Sequence, residues 1–261
     1  MMSASQSVPA GYRLTARNVS HAFGGVAALQ QTSLVVEPGR ITGIVGPNGA
    51  GKTTLFNILA GALTPDAGQV CWGERDITRL AIHRRAALGI SRTFQLSREL
   101  DSLTLLENLL LAAPRQPGDA LWRIFLTPKD ARRAEQAAID KALALLERVH
   151  LRALRNEPAG SLSGGQKKLL ELCRALMSDP AVILLDEPAA GVNPATIDEL
   201  VAFILALRAQ GKTFAVVEHN MALMAALCDT VYVLAEGRVL TQGSFETIAA
   251  DRRVQQAYLG M

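Results

Sequence analysis

The feature that most constrains this chain is a glycine-rich stretch that reads Gly46-Pro47-Asn48-Gly49-Ala50-Gly51-Lys52-Thr53-Thr54. A short apolar run (40–45) precedes it and predicts a buried strand, and the helical spacing of 53–63 predicts a helix after it. A strand, a glycine turn and a helix in this order direct backbone N–H groups at an anion. In this pattern Lys52 suits the β- and γ-phosphates, and the Thr53 hydroxyl suits the Mg²⁺ of a nucleotide. The stretch therefore predicts a phosphate-binding loop.

Composition places the chain among globular proteins. It has 261 residues, 49% of them hydrophobic, and a net charge of +3 from 27 basic and 24 acidic residues. The charges are scattered, which does not indicate a nucleic-acid partner. The cysteines are odd in number and widely spaced, and they are Cys71, Cys173 and Cys228. This pattern predicts reduced thiols. No apolar run approaches the roughly 18 residues of a membrane-spanning helix, so we expect a protein that is neither secreted nor membrane-spanning by itself.

The segment before the phosphate loop predicts a small antiparallel sheet. Residues 12–38 alternate apolar and polar side chains in short runs broken by Gly24-Gly25 and Pro38-Gly39. Phe23 lies at the first of these turns, where its ring can stack on an adenine or, as the alternative, cover the edge of the sheet.

A helical region follows the first strands. Residues 96–157 are rich in Leu, Ala and Arg, and Gln95 stands at the junction with the preceding strand-like run (90–95). One helical face is apolar, and it comprises Ala138, Ala142, Leu145 and Val149. We interpret this region as an inserted helical lobe divided by Pro128 and the segment 114–118.

A second helix N-terminus with phosphate-binding character begins after Leu162. Ser163 and Gln166 are spaced as a capping box, with Gly164 and Gly165 between them, and an apolar helical face follows. Such a helix start exposes backbone N–H groups and can bind phosphate.

Two further apolar runs predict parallel strands that end in polar residues. The run 181–185 ends in Asp186-Glu187, and 213–217 ends in Glu218-His219. Because consecutive strand residues alternate faces, we expect Asp186 to serve the Mg²⁺ shell and Glu187 to face the γ-phosphate as a general base. Asn193-Pro194 predicts a helix start, 231–243 predicts a hairpin, and 244–259 predicts one final helix.

The phosphate loop followed by the LSGGQ of Leu162 to Gln166 resembles the nucleotide-binding subunits of ABC (ATP-binding cassette) transporters, and the resemblance extends from Tyr12 onward. It implies an α/β fold: a P-loop NTPase (RecA-like) core with a mainly parallel sheet, an N-terminal antiparallel β subdomain and an inserted α-helical subdomain. One nucleotide-binding domain would span 12–261. Its core would comprise 12–95 and 178–261, and the helical subdomain with the signature motif would comprise 96–177.

The resemblance also implies cofactors and residue roles. ATP and Mg²⁺ would bind, with Phe23 stacking on the adenine. The other ATP-binding residues would be Gly46, Pro47, Asn48, Gly49, Ala50, Gly51, Lys52, Thr53, Thr54, Ser163, Gly164, Gly165 and Gln166. Glu187, His219 and Gln95 would be catalytic, and Thr53, Gln95 and Asp186 would serve the metal. In the family, LSGGQ of one subunit closes over ATP held by the other, which implies a homo- or heterodimer.

Several stretches look like the ATPases of branched-chain amino acid and amide importers: 90–95, 187–194, 217–221 and 258–260. Many family members have Asp in place of Asn193, but Asn is not unusual in this branch. The resemblance implies integral-membrane permease subunits, a second ATPase subunit and, indirectly, a periplasmic solute-binding protein. It implies a peripheral location at the cytoplasmic face of the inner membrane and no nucleic-acid partner.

Other functions remain as alternatives. Lipopolysaccharide-export and urea-importer ATPases resemble this chain in the same way. Soluble ABC proteins that act on nucleic acid or the ribosome usually carry paired cassettes, a long coiled coil or zinc-binding insertions, and this sequence has none of them. A P-loop kinase would not explain LSGGQ, the Asp186-Glu187 pair and His219 together.

Overall fold

The computed structural model describes residues 13–93, 100–114 and 128–259. The predicted site residue Gln95 lies outside these ranges. The described residues form two compact units. Unit 1 takes its residues from 1–92, 180–190 and 204–261, and unit 2 from 93–179 and 191–203. The described helices include none that is long and apolar enough to cross a bilayer.

The strands and helices follow one another in an order typical of an α/β protein. The strands are β1 (Leu14–Phe23), β2 (Val26–Val36), β3 (Ile41–Val45), β4 (Ala67–Trp72), β5 (Arg75–Asp76), β6 (Ile90–Arg92), β7 (Val182–Asp186), β8 (Thr213–Val217), β9 (Thr230–Ala235) and β10 (Arg238–Gly243). The helices are α1 (Lys52–Ala60), α2 (Ile82–Ala87), α3 (Leu105–Leu111), α4 (Pro128–Arg148), α5 (Gly164–Leu176), α6 (Pro194–Ala209), α7 (Met221–Leu227), α8 (Phe245–Ala249) and α9 (Arg252–Leu259).

Unit 1 contains two sheets. The larger has the strand order β10-β9-β3-β8-β7-β6 and is parallel except for the β9–β10 hairpin. The smaller has the order β2-β1-β4-β5 and is antiparallel. The predicted α/β class, with its mainly parallel sheet and antiparallel β subdomain, is therefore confirmed.

The central strands of the larger sheet are buried on both faces. Every residue of β3 and β8 is buried, as are the first four residues of β7, which is why these runs are continuously apolar. Since the three strands are parallel neighbours in the order β3-β8-β7, their carboxyl ends lie at one edge of the sheet. The loops that leave this edge contain the phosphate loop, Glu187 and His219.

Unit 2 is built from helices. Of the predicted apolar face, Ala142 and Leu145 of α4 are buried, Ala138 is half-buried, and Val149 is buried one residue beyond the end of the helix. The same face packs toward α5, where the Cys173 thiol lies 3.7 Å from the Leu145 carbonyl. The three cysteines are free, as predicted, and burial raises the pKa of Cys173 to about 12.

The C-terminal segment differs from the prediction of a single helix over 244–259. It forms two helices, α8 and α9, separated at Ala250 and Asp251. The Asp251 carboxylate accepts a hydrogen bond from the backbone N–H of Arg253 at 2.9 Å and thereby begins a new helix.

Candidate nucleotide site

The phosphate loop connects β3 to α1 as the sequence predicts. Gly51 is the N-cap of α1, with φ +96°, and its carbonyl accepts the first helical hydrogen bond from Leu55 at 2.9 Å. Asn48, Gly49 and Thr53 are exposed along the loop and the first turn. The loop and the helix N-terminus therefore present backbone N–H groups to an anion.

Close packing explains two of the glycines. A Cβ added at Gly46 would lie 2.1 Å from the Leu234 carbonyl oxygen, and one at Gly51 would lie 2.4 Å from the Ala28 carbonyl oxygen. Neither contact can form without backbone movement, because the clashing atoms belong to neighbouring strands. The smaller sheet, through Ala28, and the β9–β10 hairpin, through Leu234, therefore pack directly against the phosphate loop.

Lys52 holds the loop in its curved form. Its buried ammonium donates to the carbonyl oxygens of Gly46 and Pro47, each at 2.8 Å. Burial lowers the pKa of Lys52, and the carboxylates of Glu187 and Asp186 oppose that shift. The lysine and both acids therefore interact within one electrostatic site.

Asp186 is the last residue of β7 and is paired with an arginine that sequence reasoning missed. Arg92 Nη2 lies 2.6 Å from Asp186 Oδ2, and Arg92 Nη1 lies 2.5 Å from Asn57 Oδ1 in α1. Arg92 ends β6, which pairs with β7. The sequence shows Arg92 only as part of the strand-like run 90–95, and its pairing with Asp186 becomes evident only once β6 and β7 are known to be neighbours.

Glu187 leaves the strand by a left-handed backbone conformation. Its φ is +48°, and its N–H donates to the Val217 carbonyl at 2.9 Å. Its side-chain direction is therefore set by this turn, whereas the alternation of residues along the strand was expected to set it. His219 Nε2 lies 3.3 Å from Glu187 Oε1, and both side chains are about half exposed. Two of the three predicted catalytic residues are thus in direct contact.

Phe23 ends β1 and is 52% exposed. The edge of the His21 ring meets it, with 4.7 Å between ring centroids and an interplanar angle of 81°. His21 Nδ1 in turn lies 3.3 Å from Asp66 Oδ1. The exposed ring is free to stack on a planar ligand, although its role with adenine remains a prediction.

The signature residues lie in unit 2, whereas the phosphate loop, the two acids and His219 lie in unit 1. Ser163 and Gln166 form the predicted capping box at the start of α5. A Cβ on Gly165 would approach Thr196 to 2.6 Å, so the start of α5 packs tightly against the start of α6. Asn193 caps α6 by accepting from the Thr196 N–H at 2.9 Å.

The oxygen donors of the site fit a magnesium ion. Mg²⁺ is usually held by one or two carboxylates together with substrate phosphates. Thr53 offers an exposed hydroxyl at the second residue of α1, and Asp186 offers a partly exposed carboxylate at the end of β7. Among the described residues no group of three or more His, Cys, Asp or Glu side chains could hold a metal by itself. The donor set is thus suited to a cation that arrives with phosphate.

Sequence comparison identifies the family. Residues 29–190 match the family described as ABC transporter. A probable branched-chain amino acid transport ATP-binding protein LivG from Archaeoglobus fulgidus is 39% identical over 248 residues, which cover 95% of each chain. The high-affinity branched-chain amino acid transport ATP-binding protein BraF from Pseudomonas aeruginosa is 40% identical, over 91% of this chain and 94% of that protein.

Solved structures agree with this similarity. A nucleotide-free ATP-binding cassette from an ABC transporter superposes with a TM-score of 0.84 and 36% identity, over 96% of this chain and all of that one. The ADP conformation of an ATP-binding cassette gives a TM-score of 0.83 and 35% identity. The chain therefore belongs to the ABC transporter family, as one of its ATP-binding ATPases.

Proposed function

We propose that this chain powers the import of branched-chain amino acids or related amides. The proposal that the chain hydrolyses ATP is supported by the contact between Glu187 and His219, at the sheet edge that carries the phosphate loop. The names of the relatives from Archaeoglobus fulgidus and Pseudomonas aeruginosa support the class of solute. They favour amino acids over the lipopolysaccharide-export and urea-import alternatives.

The proposed roles follow from the chemistry of each side chain. The loop 46–54 binds the phosphates through backbone N–H groups and the Lys52 ammonium. Glu187 accepts a proton from the attacking water, and His219, in contact with it, orients that water against the γ-phosphate. Phe23 stacks on the adenine. Such catalysis depends mainly on positioning and on stabilising charge.

Magnesium would be held by Thr53, Asp186 and Gln95. When bound, it neutralises charge on the phosphate oxygens. Asp186 contributes a carboxylate that Arg92 orients from the neighbouring strand. Gln95 has this role by resemblance alone.

The working unit is a dimer with another copy or with a related ATPase. Ser163, Gly164, Gly165 and Gln166 of one subunit contact the nucleotide held by the other. The start of α5 suits this role, because Ser163 and Gly164 are exposed at a helix N-terminus, whose partial positive charge favours phosphate. In this proposal one nucleotide-binding domain spans 12–261, with 12–95 and 178–261 as its core and 96–177 as the helical part.

The dimer docks on integral-membrane permease subunits at the cytoplasmic face of the inner membrane and receives solute through a periplasmic solute-binding protein. Affinity purification from detergent-solubilised membranes tests the partners, and uptake of radiolabelled leucine tests the solute. We expect permease subunits to copurify, and we expect Lys52→Ala to reduce uptake to background while the complex stays assembled. Recovery of lipid-export proteins, or leucine uptake unchanged by Lys52→Ala, would contradict the proposal.

A further inference from the structure

A buried carboxylate stands directly beside the proposed catalytic pair. Glu218 follows the last residue of β8 and is only 4% exposed. Its Oε1 accepts the backbone N–H of Ala189 at 2.7 Å. Its Oε2 accepts the backbone N–H groups of His219 at 2.8 Å and Asn220 at 3.0 Å. Both oxygens are thus used, and each is used by a different segment of the chain.

The two segments are the loops that carry the catalytic side chains. Ala189 is two residues beyond Glu187 in the loop after β7, and His219 begins the loop after β8. A second connection runs the other way, from the Glu187 N–H to the Val217 carbonyl at 2.9 Å. The end of β8 and the loop after β7 are therefore joined by this backbone hydrogen bond and by the bond from Ala189 to the Glu218 carboxylate, in addition to the Glu187–His219 contact at 3.3 Å.

The residue type suits this arrangement. An ionised carboxylate only accepts hydrogen bonds, and here it meets three N–H donors. Within the described ranges no Lys or Arg side chain lies in ion-pair distance of Glu218. The hydrogen-bond partners of the Glu218 side chain are backbone N–H groups of these two loops, and none of them belongs to the phosphate loop.

We infer that Glu218 is a positioning residue for hydrolysis: it fixes the distance between Glu187 and His219 by holding the loop of each on one carboxylate oxygen. This inference rests on the catalytic roles proposed above for that pair. Small displacements of reacting groups are costly, since an error of about 1 Å can reduce a rate by about 100-fold.

The test compares Glu218→Gln with the matched variant Glu74→Gln, which changes an exposed acid at the β4–β5 turn. The amide keeps the shape of the side chain but turns one acceptor into a donor, which faces an N–H group and releases one loop. We expect kcat for ATP to fall about 10- to 100-fold with KM changed less than about twofold, because the phosphate loop is untouched. Rates are normalised to the fraction of protein that binds ATP, which removes any loss caused by unfolding.

A double variant separates positioning from a merely structural role. If Glu218 acts through His219, Glu218→Gln should lower kcat by less than about threefold when His219 is already alanine. An equal reduction in the wild-type and His219→Ala backgrounds, or an unchanged kcat in the single variant, would overturn the inference.

The parallel variants Glu187→Gln and His219→Ala test the underlying roles. If both keep wild-type turnover, the proposed catalytic pair is wrong, and the inference about Glu218 falls with it. If both lower kcat while Glu218→Gln keeps the wild-type value, the pair stands and only the positioning role is wrong.

Discussion

Asp186 has a cationic partner within the chain itself. Arg92 is 11% exposed at its side chain and connects Asp186 to Asn57, so it joins the end of β7 to the helix that follows the phosphate loop. A bidentate guanidinium suits this task because its two amino groups reach two acceptors in fixed directions. The proposed magnesium ion would be a second cation for the same carboxylate.

This arrangement predicts that Arg92 and magnesium partly replace each other as partners of Asp186. Arg92→Met should lower the free energy of unfolding by about 1–3 kcal/mol without nucleotide, because a partly buried carboxylate loses its charged partner. Saturating Mg²⁺ with nucleotide should recover much of that loss, since the cation then faces the carboxylate. Urea unfolding with Mg²⁺ or with EDTA, at equal nucleotide, measures the difference.

The matched control for Arg92→Met is Arg132→Met, which changes an exposed arginine in α4. It should leave the free energy of unfolding within about 0.5 kcal/mol of wild type. A loss in Arg92→Met of the same size with magnesium and with EDTA would contradict the expected exchange of cations.

Residue roles were predictable to the extent that they follow from motifs. The phosphate loop, Asp186, Glu187 and His219 stand in patterns that carry their own chemistry. Arg92 and Glu218 do not, because their roles arise from strands that are distant in sequence and adjacent in the sheet. A lone arginine in an edge strand, or a glutamate at a strand end, is by itself compatible with an exposed position.

At the scale of elements, α1 is fixed at both ends. Its N-terminus is the phosphate loop, and its C-terminus is held by Arg85, which is fully buried in a chain region of otherwise exposed residues. Arg85 donates to the carbonyl oxygens of Ile58 and Leu59 at 2.5 and 2.8 Å. It therefore gives Leu59 a donor, adds a second donor to the Ile58 carbonyl, which also accepts the Gly61 N–H at 3.2 Å, and places a positive charge near the negative end of the helix.

Arg85→Met should therefore destabilise the protein strongly. Arg85 also donates to the carbonyls of Leu80 and Thr78, so the variant removes one hydrogen bond from each of four carbonyl oxygens at once. We expect a loss of about 3 kcal/mol or more in the free energy of unfolding, measured in urea. The control Arg84→Met, at the exposed neighbouring position, should change it by less than about 0.5 kcal/mol. Equal effects of the two variants would contradict this role.

Burial lowers the pKa of Arg85 to about 10, which still leaves it protonated at neutral pH. Lysine would keep the charge but lacks the planar set of donors, so Arg85→Lys should recover about half of the lost stability at most. The C-terminal end of α1 shows why the role of a buried arginine such as Arg85 is hard to predict. Spacing located α1, yet it did not reveal that Gly61 and Arg85 end it at Ala60.

At the scale of the whole molecule, the chain distributes the predicted nucleotide contacts over two units. The phosphate loop and the acids belong to unit 1, and the signature residues belong to unit 2. The sequence predicted the α/β class and the buried central strands because continuous apolar runs and glycine turns are local signals. The order of the strands could not be predicted from local sequence patterns. This order brings four residues to one sheet edge: Lys52, Asp186, Glu187 and Glu218.

The proposed hydrolysis of ATP depends on Glu187 acting as the base at this edge. The most direct test is the rate of ATP hydrolysis by Glu187→Gln in a single turnover at saturating Mg²⁺, with bound ATP counted in the same sample and Glu74→Gln as control. We predict full ATP binding with hydrolysis slowed by about 100-fold or more, because the amide cannot accept the proton of the attacking water. Hydrolysis at the wild-type rate with ATP fully bound would show that another group activates the water.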